Sequence, residues 1–308
     1  MLHLNNNNDR TTQTVLIRGK IRSTVFEKIF DALKFCSTND IRHCYTTRHS
    51  IPRSESAVTR LRSPIRFSLV IATLQDNGDL QYCLESISKL KERAVIEVIV
   101  IDQNKEDHLV GVITPFETQL NIRHIRVDFC GVSRARNVGA RLAQGDWLGF
   151  PDDDCVLFED TLTEVERLLS DSSLRVVTGQ TVDESGSPNV LRWQPRAVRF
   201  DRWTMFGCMT EATFFVERHT FLRGNGFCED FGPGGKFPAA EGVELMNRLF
   251  RDAPDLGAIY SPTVRMQHPT KIPPWDRWAV RRFYDYARGD GGLIAKSLQP
   301  HVLWWGAK

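Results

Sequence analysis

Apolar residues gather in short, dense runs from Phe67 onward, and their spacing switches between two periods. Phe67–Ala72 (FSLVIA) and Val95–Ile101 (VIEVIVI) are almost unbroken apolar stretches, the mark of strands covered on both faces. Between them, Leu80, Cys83, Leu84, Ile87 and Leu90 fall on one helical stripe. The pattern then predicts a third strand near 122–127, a helix over about 133–143, and a fourth strand over Trp147–Phe150. Strands and helices alternating in this way predict a doubly wound α/β domain, a parallel sheet with helices on both faces.

The pattern loosens further along. Thr161 and Glu164 form a T-x-x-E capping box ahead of Leu162, Val165, Leu168 and Leu169 at helical spacing. Strands are predicted over Arg175–Thr178 and Thr213–Val216. Between them, residues 183–208 form a long loop rich in Arg, Trp, Pro and Gly. A Gly/Pro-rich loop at 227–240 precedes a helix over about 242–250. From Trp275 on, Trp278, Phe283 and Tyr286 lie near one face of a basic helix expected to pack on the preceding domain. Residues 1–64 have no such organisation. An Asn5–Asn8 run, one short helical stripe (Val25, Ile29, Phe30, Leu33) and a linker-like 46–64 read as a basic, partly disordered extension. The expected division is 1–64, a main domain over 65–268, and a basic aromatic tail over 269–308.

Composition narrows the function classes. With 41% hydrophobic and 25% charged residues the chain is neither a disordered polymer, a collagen nor a coiled-coil rod. The net charge is +2, from 40 basic and 38 acidic residues. The excess sits at the ends, with 11 basic against 5 acidic over 1–64 and 8 against 3 from Arg265 on. Aromatics are not interleaved with Lys and Arg along one face, so no nucleic-acid partner is expected. Without an apolar window of about 18 residues, no membrane-spanning helix is expected. The start, MLHLNNNNDR, lacks a secretory pattern, and the seven cysteines show neither CxxC nor metal spacing. A cytoplasmic protein with reduced thiols is the expectation.

In an open parallel sheet, ligands bind beyond the carboxyl ends of the strands. Asp102 ends the second apolar run, and Asp152–Asp154 follow the fourth. In extended chain, residues i and i+2 point the same way, so Asp152 and Asp154 converge. Paired hard carboxylates suit Mg²⁺ or Mn²⁺, which leave positions for water or phosphate. Pro151-Asp-Asp-Asp154 is otherwise a solvated turn, but its place after a buried strand favours the ion. In Gly131-Val-Ser-Arg-Ala-Arg-Asn-Val-Gly139, Ser133 reads as a helix cap, with Arg134 and Arg136 in the first turn. Cations there oppose the helix dipole, and a phosphate bound by the free N–H groups and guanidiniums would reverse the sign. Asp102 and Gln103 offer hydrogen bonds to a base or ribose, or Asp102 simply caps a turn.

From Phe67 to His268 these segments together resemble the family-2-like glycosyltransferases of GT-A fold. The matching stretches are FSLVIATLQDNGDLQYCLESI, VIEVIVIDQN, GVSRARNVGARLAQGDWLGF, PDDDC, GFCEDFGPGGKFPAAEGVELMNRLF and VRMQHP. The resemblance implies a Rossmann-like nucleotide-diphospho-sugar transferase fold, with a mixed, mainly parallel sheet flanked by helices. It also divides the domain into a nucleotide-binding half (65–155) and an acceptor half (156–268). By position, it places Asp102 on the nucleotide base, with Thr73 and Gln75 lining the pocket. Arg136 goes to donor phosphate or sugar. Asp152 and Asp154 hold Mn²⁺ or Mg²⁺ on the diphosphate, Asp153 lies beside the donor, and His268 completes the metal site. A UDP-sugar is the favoured donor, a glycan, lipid-linked glycan or other hydroxyl the acceptor, and inversion the default outcome.

One departure stands out. Many relatives begin the acceptor-side helix with Glu-Asp, the aspartate being the catalytic base. Here Ala240-Glu241-Gly242-Val243-Glu244 puts glycine at that position. Glu241 is the first candidate to replace it and Glu244 the second, with an inactive nucleotide-sugar-binding protein as the alternative. The Gln-x-x-Arg-Trp signature of processive relatives is absent, which weakens a polymer-synthase reading. A nucleotidyltransferase is disfavoured because Thr73–Gly78 holds one glycine and no lysine. The loop around Arg192, Trp193, Arg196 and Trp203 either closes over the donor or packs as a surface loop. The basic aromatic tail, ending in Trp304-Trp305, also suits peripheral contact with an anionic membrane bearing a lipid-linked acceptor.

Overall fold

The two apolar runs lie side by side within one sheet, second and third from one edge. β1 (Phe67–Thr73) is separated by α1 (Asp79–Ser88) from β2 (Ile96–Asp102), which is buried at every position. The two strands pair in parallel from Phe67↔Ile96 to Thr73↔Asp102. This computed structural model describes residues 65–74, 78–92, 95–270 and 277–307. The readings placed on residues 1–64, Gln75 and Trp275, and on the Trp278 side chain, lie outside the described residues.

A short helix α2 (Val110–Ile113), strand β3 (Asn121–Arg126), helix α3 (Val132–Leu142) and strand β4 (Trp147–Gly149) follow. The order β3-β2-β1-β4 is parallel throughout, so these four strands deliver their carboxyl ends to one edge. Next come β5 (Val156–Leu157), α4 (Thr161–Leu168), β6 (Leu174–Val182), β7 (Val198–Arg199), β8 (Phe215–Glu217) and α5 (Arg218–Arg223). The chain continues through α6 (Glu241–Asp252), β9 (Gly257–Gln267), α7 (Arg277–Ser297) and α8 (Pro300–Gly306). Beyond β4 the sheet runs β8-β6-β9-β5, with β7 on β9. β8 is antiparallel to both β4 and β6. A parallel neighbour needs a crossover helix, and β8 is instead entered from a 3₁₀ turn at Glu211–Thr213. The sheet is therefore mixed, mainly parallel and flanked by helices, as the resemblance implies, where the alternation by itself predicts a parallel sheet.

Strand alternation sorts the core onto two faces. Phe67, Leu69 and Ile71 pack with Val98, Val100 and the stripe of α1, all buried. Val70, Ile99 and Ile101 belong to a second core with Ala135 and Ala140 of α3, which extends to Leu245 and Met246 of α6. A Cβ on Gly139 would stand 3.2 Å from Val70 Cγ2 and closer still to Cγ1. Glycine there lets α3 lie directly on β1, which sets the depth of Arg136.

Several local expectations are corrected. Thr161 does not cap α4; it is the helix's first residue and its hydroxyl donates to the Arg265 carbonyl at 2.9 Å, while Glu164 pairs with Arg167. Ser133 does not cap α3 either. Gly131 holds the cap position, and the Ser133 hydroxyl donates to the Phe231 carbonyl at 2.6 Å. The eleven-residue β9 has no counterpart in the sequence reading. Pro262 interrupts its alternation, and its register with β6 shifts between Thr178 and Gln180. The 183–208 loop is pinned: Trp193 stacks on Tyr260 at 5.7 Å and donates from Nε1 to the Asn189 carbonyl.

The C-terminal helices pack on the domain, but not through the aromatic stripe. Gly289 lies against Ala239 and Gly292 against Phe237, followed by buried Leu293 and Ile294. Phe283, Tyr284 and Tyr286 are exposed. The approach to the 231–240 loop is too close for a side chain at the two glycines, which leaves the rings on the outer side. In α8, Trp305 stacks on Phe206 at 4.5 Å. No described helix is long and apolar enough to cross a membrane.

Candidate active site

The shared carboxyl edge brings together Thr73, Asp102–Asn104 and the turn after β4. Asp102 is fully buried. Its Oδ1 accepts from the Asn104 backbone N–H (2.8 Å) and side chain (2.9 Å), and Oδ2 lies 2.9 Å from His124 Nε2. Both oxygens are thus engaged within the protein, in a turn-capping arrangement. Gln103 accepts the Gly131 N–H at 2.7 Å, tying β2 to the start of α3. Thr73 is buried, and among the described residues its hydroxyl has no hydrogen-bond partner.

Asp152 and Asp154 do converge, by a route other than extended alternation. The chain turns at Asp153–Asp154, and Cys155 N–H closes back on the Asp152 carbonyl at 3.1 Å. His268, just after β9, meets them: its Nε2 is 3.9 Å from Asp152 Oδ2 and 3.8 Å from Asp154 Oδ1. One ligand atom from each of the three residues lies within 4.8 Å of the others. His268 Nδ1 is 2.9 Å from the Pro269 carbonyl, which can only accept, so Nδ1 carries the proton and Nε2 faces the carboxylates. Two carboxylates and an imidazole oriented by a backbone carbonyl make a donor set that fits a divalent cation.

Arg136 extends this group inward. Its side chain is 3% exposed, and the guanidinium donates to Asp152 Oδ1 (2.5 Å) and Glu241 Oε1 (3.2 Å). Burial works against its charge, and the carboxylates of Asp152, Glu241 and Glu211 more than reverse that. Arg134 lies outside the group, over the Phe129 ring at 3.9 Å. The expected phosphate cradle at the start of α3 is not open, because Val132 N–H donates to the Pro233 carbonyl and Gly131 N–H to Gln103. The 227–240 loop covers that helix end.

The same loop delivers Glu241. Ala240 takes a left-handed backbone (φ 69°), unfavourable for alanine, at the step into α6. Glu241 is buried against Arg136, and burial, reinforced by the charge of Glu211, pushes its carboxyl up to about 8. Glu244 points elsewhere. It is buried between Arg248 (2.9 Å) and Lys296 (2.7 Å), whose charges outweigh burial and hold it below the ordinary carboxylate range. It ties α6 to α7. Glu211 was not singled out by sequence. Its only signal is an acidic residue just before an apolar strand, and nothing local connects it to α6. Yet its Oε1 accepts the Gly242 N–H at 2.7 Å.

The Glu241 shift has a stability consequence with a definite sign. The folded state retains this proton over a pH range where the unfolded chain, at the ordinary 4.5, has lost it. Its contribution is full below pH 4.5 and is lost as pH rises towards about 8. At ~1.4 kcal/mol per tenfold in the proton equilibrium, the loss is a few kcal/mol. Denaturant unfolding of Glu241→Gln beside the parent from pH 4 to 9 is expected to show the parent's decline flattened in the variant.

The sequence pattern of glycosyl transferase family 2 matches residues 68–232. The hyaluronan synthase of Pasteurella multocida is 30% identical over 118 residues, 37% of this chain and 12% of that protein. The chain's matches span less than half the length of its curated relatives. Among solved structures, Staphylococcus aureus TarS 1–349 in complex with UDP-GlcNAc superposes with a TM-score of 0.57 at 16% identity, covering 78% of this chain and 73% of that one. The Pyrobaculum calidifontis mannosyltransferase PcManGT, in complex with GDP-Man and Mn²⁺, gives 0.58 at 15% identity, covering 91% and 74%. These likenesses agree with the sheet order in giving a GT-A fold. With the family pattern covering more than half of its residues, the chain belongs to glycosyl transferase family 2.

Proposed function

We propose that the protein is a metal-dependent, inverting glycosyltransferase that moves a sugar from a nucleoside-diphosphate donor, favourably a UDP-sugar, to an acceptor hydroxyl. The observation that carries this reading is the Asp152–Asp154–His268 group, with Nδ1 of His268 committed to a backbone carbonyl and Nε2 turned to the two carboxylates. Asp152, Asp154 and His268 would hold Mn²⁺ or Mg²⁺, which when bound supplies positive charge to a departing diphosphate. Arg136 fixes Asp152 and adds a cation behind it. Thr73, Gln75, Asp102 and Asp153 belong to the donor side of this reading, Asp102 by holding the turn at Asn104 rather than by presenting an open oxygen.

The acceptor side rests on α6 and the loop before it. A glycan or a lipid-linked glycan fits the family, and the exposed Val280, Phe283 and Tyr284 beside Arg281 on α7 support peripheral contact with an anionic membrane surface. Such contact would belong on the cytoplasmic side, where nucleotide sugars are supplied. Calorimetric titration of UDP and GDP, each with and without Mn²⁺, tests the donor reading. UDP binding that requires Mn²⁺ is expected; binding of neither nucleotide to the folded protein contradicts it. Binding without turnover of any donor would favour the inactive nucleotide-sugar-binding alternative.

A further inference from the structure

From Asp152 of the metal-fitting triad, a row of charged groups runs through Arg136 and Glu241 to Glu211. Each member but the last is committed. Asp152 and Glu241 share the Arg136 guanidinium, and the Glu241 side chain is only 8% exposed. Glu211 ends the row and is only partly buried. Its Oε1 accepts the Gly242 N–H at the start of a twelve-residue helix, an arrangement that fixes the carboxylate and complements the helix dipole. Among the described residues, its Oε2 accepts only from the Thr210 hydroxyl, at 3.5 Å. A Cβ built on Gly242 would stand 2.9 Å from the Glu211 carboxylate carbon, and within contact of Oε1. The glycine is therefore the space that Glu211 fills.

Resting on the glycosyl-transfer reading above, we propose that Glu211 is the catalytic base, delivered over Gly242 from the turn before β8, and that Glu241 is a positioning residue for Arg136. As the acceptor oxygen forms its bond to the anomeric carbon, the bond from that carbon to the diphosphate oxygen breaks. The nucleoside diphosphate leaves with the electron pair, and the acceptor's proton passes to Glu211 Oε2 and then to solvent. Glu241 cannot take this part while it is closed over by Arg136, and Glu244 faces Arg248 and Lys296.

The swap that the geometry suggests is the test. Turnover of UDP-GlcNAc and of GDP-mannose with Mn²⁺, water serving as acceptor, is followed by nucleotide release alongside UDP and GDP titrations and thermal unfolding. Glu211→Gln is expected to lower kcat by ~10²–10⁴-fold, the range for loss of a general base, with nucleotide Kd unchanged and the unfolding transition still cooperative. The double variant Glu211→Gly/Gly242→Asp regrows a carboxylate in the same space from α6, and is expected to recover part of that loss, which Glu211→Gly alone does not. Glu211→Gln turning over at the parent rate, with nucleotide binding intact, overturns the base assignment and leaves the donor site standing. A folded parent that binds nucleotide but turns over neither donor, or binds neither nucleotide, overturns the glycosyl-transfer reading and the base assignment with it.

Discussion

Asp154→Asn is expected to abolish Mn²⁺-dependent nucleotide binding and to cut donor turnover by more than the ~10–100-fold that loss of an outer partner costs a metal site. The substitution keeps the size and removes the charge, so the fold has little reason to respond. Asp154 faces His268 Nε2 across 3.8 Å with a side chain only 7% exposed. A neutral amide oxygen there leaves Asp152, already shared with Arg136, as the only full negative charge among the three ligands. Calorimetry with UDP and Mn²⁺ on the parent and the variant reads the first effect, and nucleotide release reads the second. Retained Mn²⁺-dependent affinity in Asp154→Asn would remove this residue from the site.

Arg136→Met is expected to have the largest effect on stability, about 3–5 kcal/mol, the cost of removing one partner from a buried ionic group. The methionine roughly fills the volume but leaves Asp152 and Glu241 facing each other without a cation. Glu241 can answer by keeping its proton, so its folded-state value, already raised to about 8, must rise further in the variant. In the parent, the stability contributed by this proton stops falling near pH 8; in the variant it keeps falling beyond that. The difference between the two is therefore expected to be level at neutral pH and to widen above about pH 8. Urea unfolding at pH 6.5 and pH 9 measures it. An equal difference at both would mean that Glu241 does not carry the proton.

The pairing of Arg136 with Glu241 also shows where sequence reading reaches and where it stops. The units up to Phe150 are legible because strands buried on both faces carry unbroken apolar runs, and α1 displays its stripe in four residues, with Leu90 just past its end. The donor edge follows from topology, since parallel strands ending in Asp102 and Pro151–Asp154 must share one edge. His268 is legible only by resemblance. It lies more than a hundred residues from the Asp152–Asp154 turn, at the end of a strand that Pro262 disguises. Glu211 is invisible locally, because its role depends on a glycine thirty-one residues away whose missing side chain makes the room. Arg134 and Arg136 both fall near the start of α3. Packing separates them: close contact of Gly139 with Val70 sinks Arg136 among carboxylates and leaves Arg134 outside on Phe129. Glu244, a plausible base by sequence, is taken by Lys296 from a helix fifty residues further on.

The claim on which the rest depends is that Asp152, Asp154 and His268 hold a divalent ion against a nucleoside diphosphate. Crystals grown with UDP and Mn²⁺, measured at the manganese absorption edge, test it most directly. The expected result is one anomalous peak at bonding distance from Asp154, Asp152 and His268 Nε2, with the diphosphate on its open side. UDP bound with no peak there, or with manganese held by other residues, would contradict it.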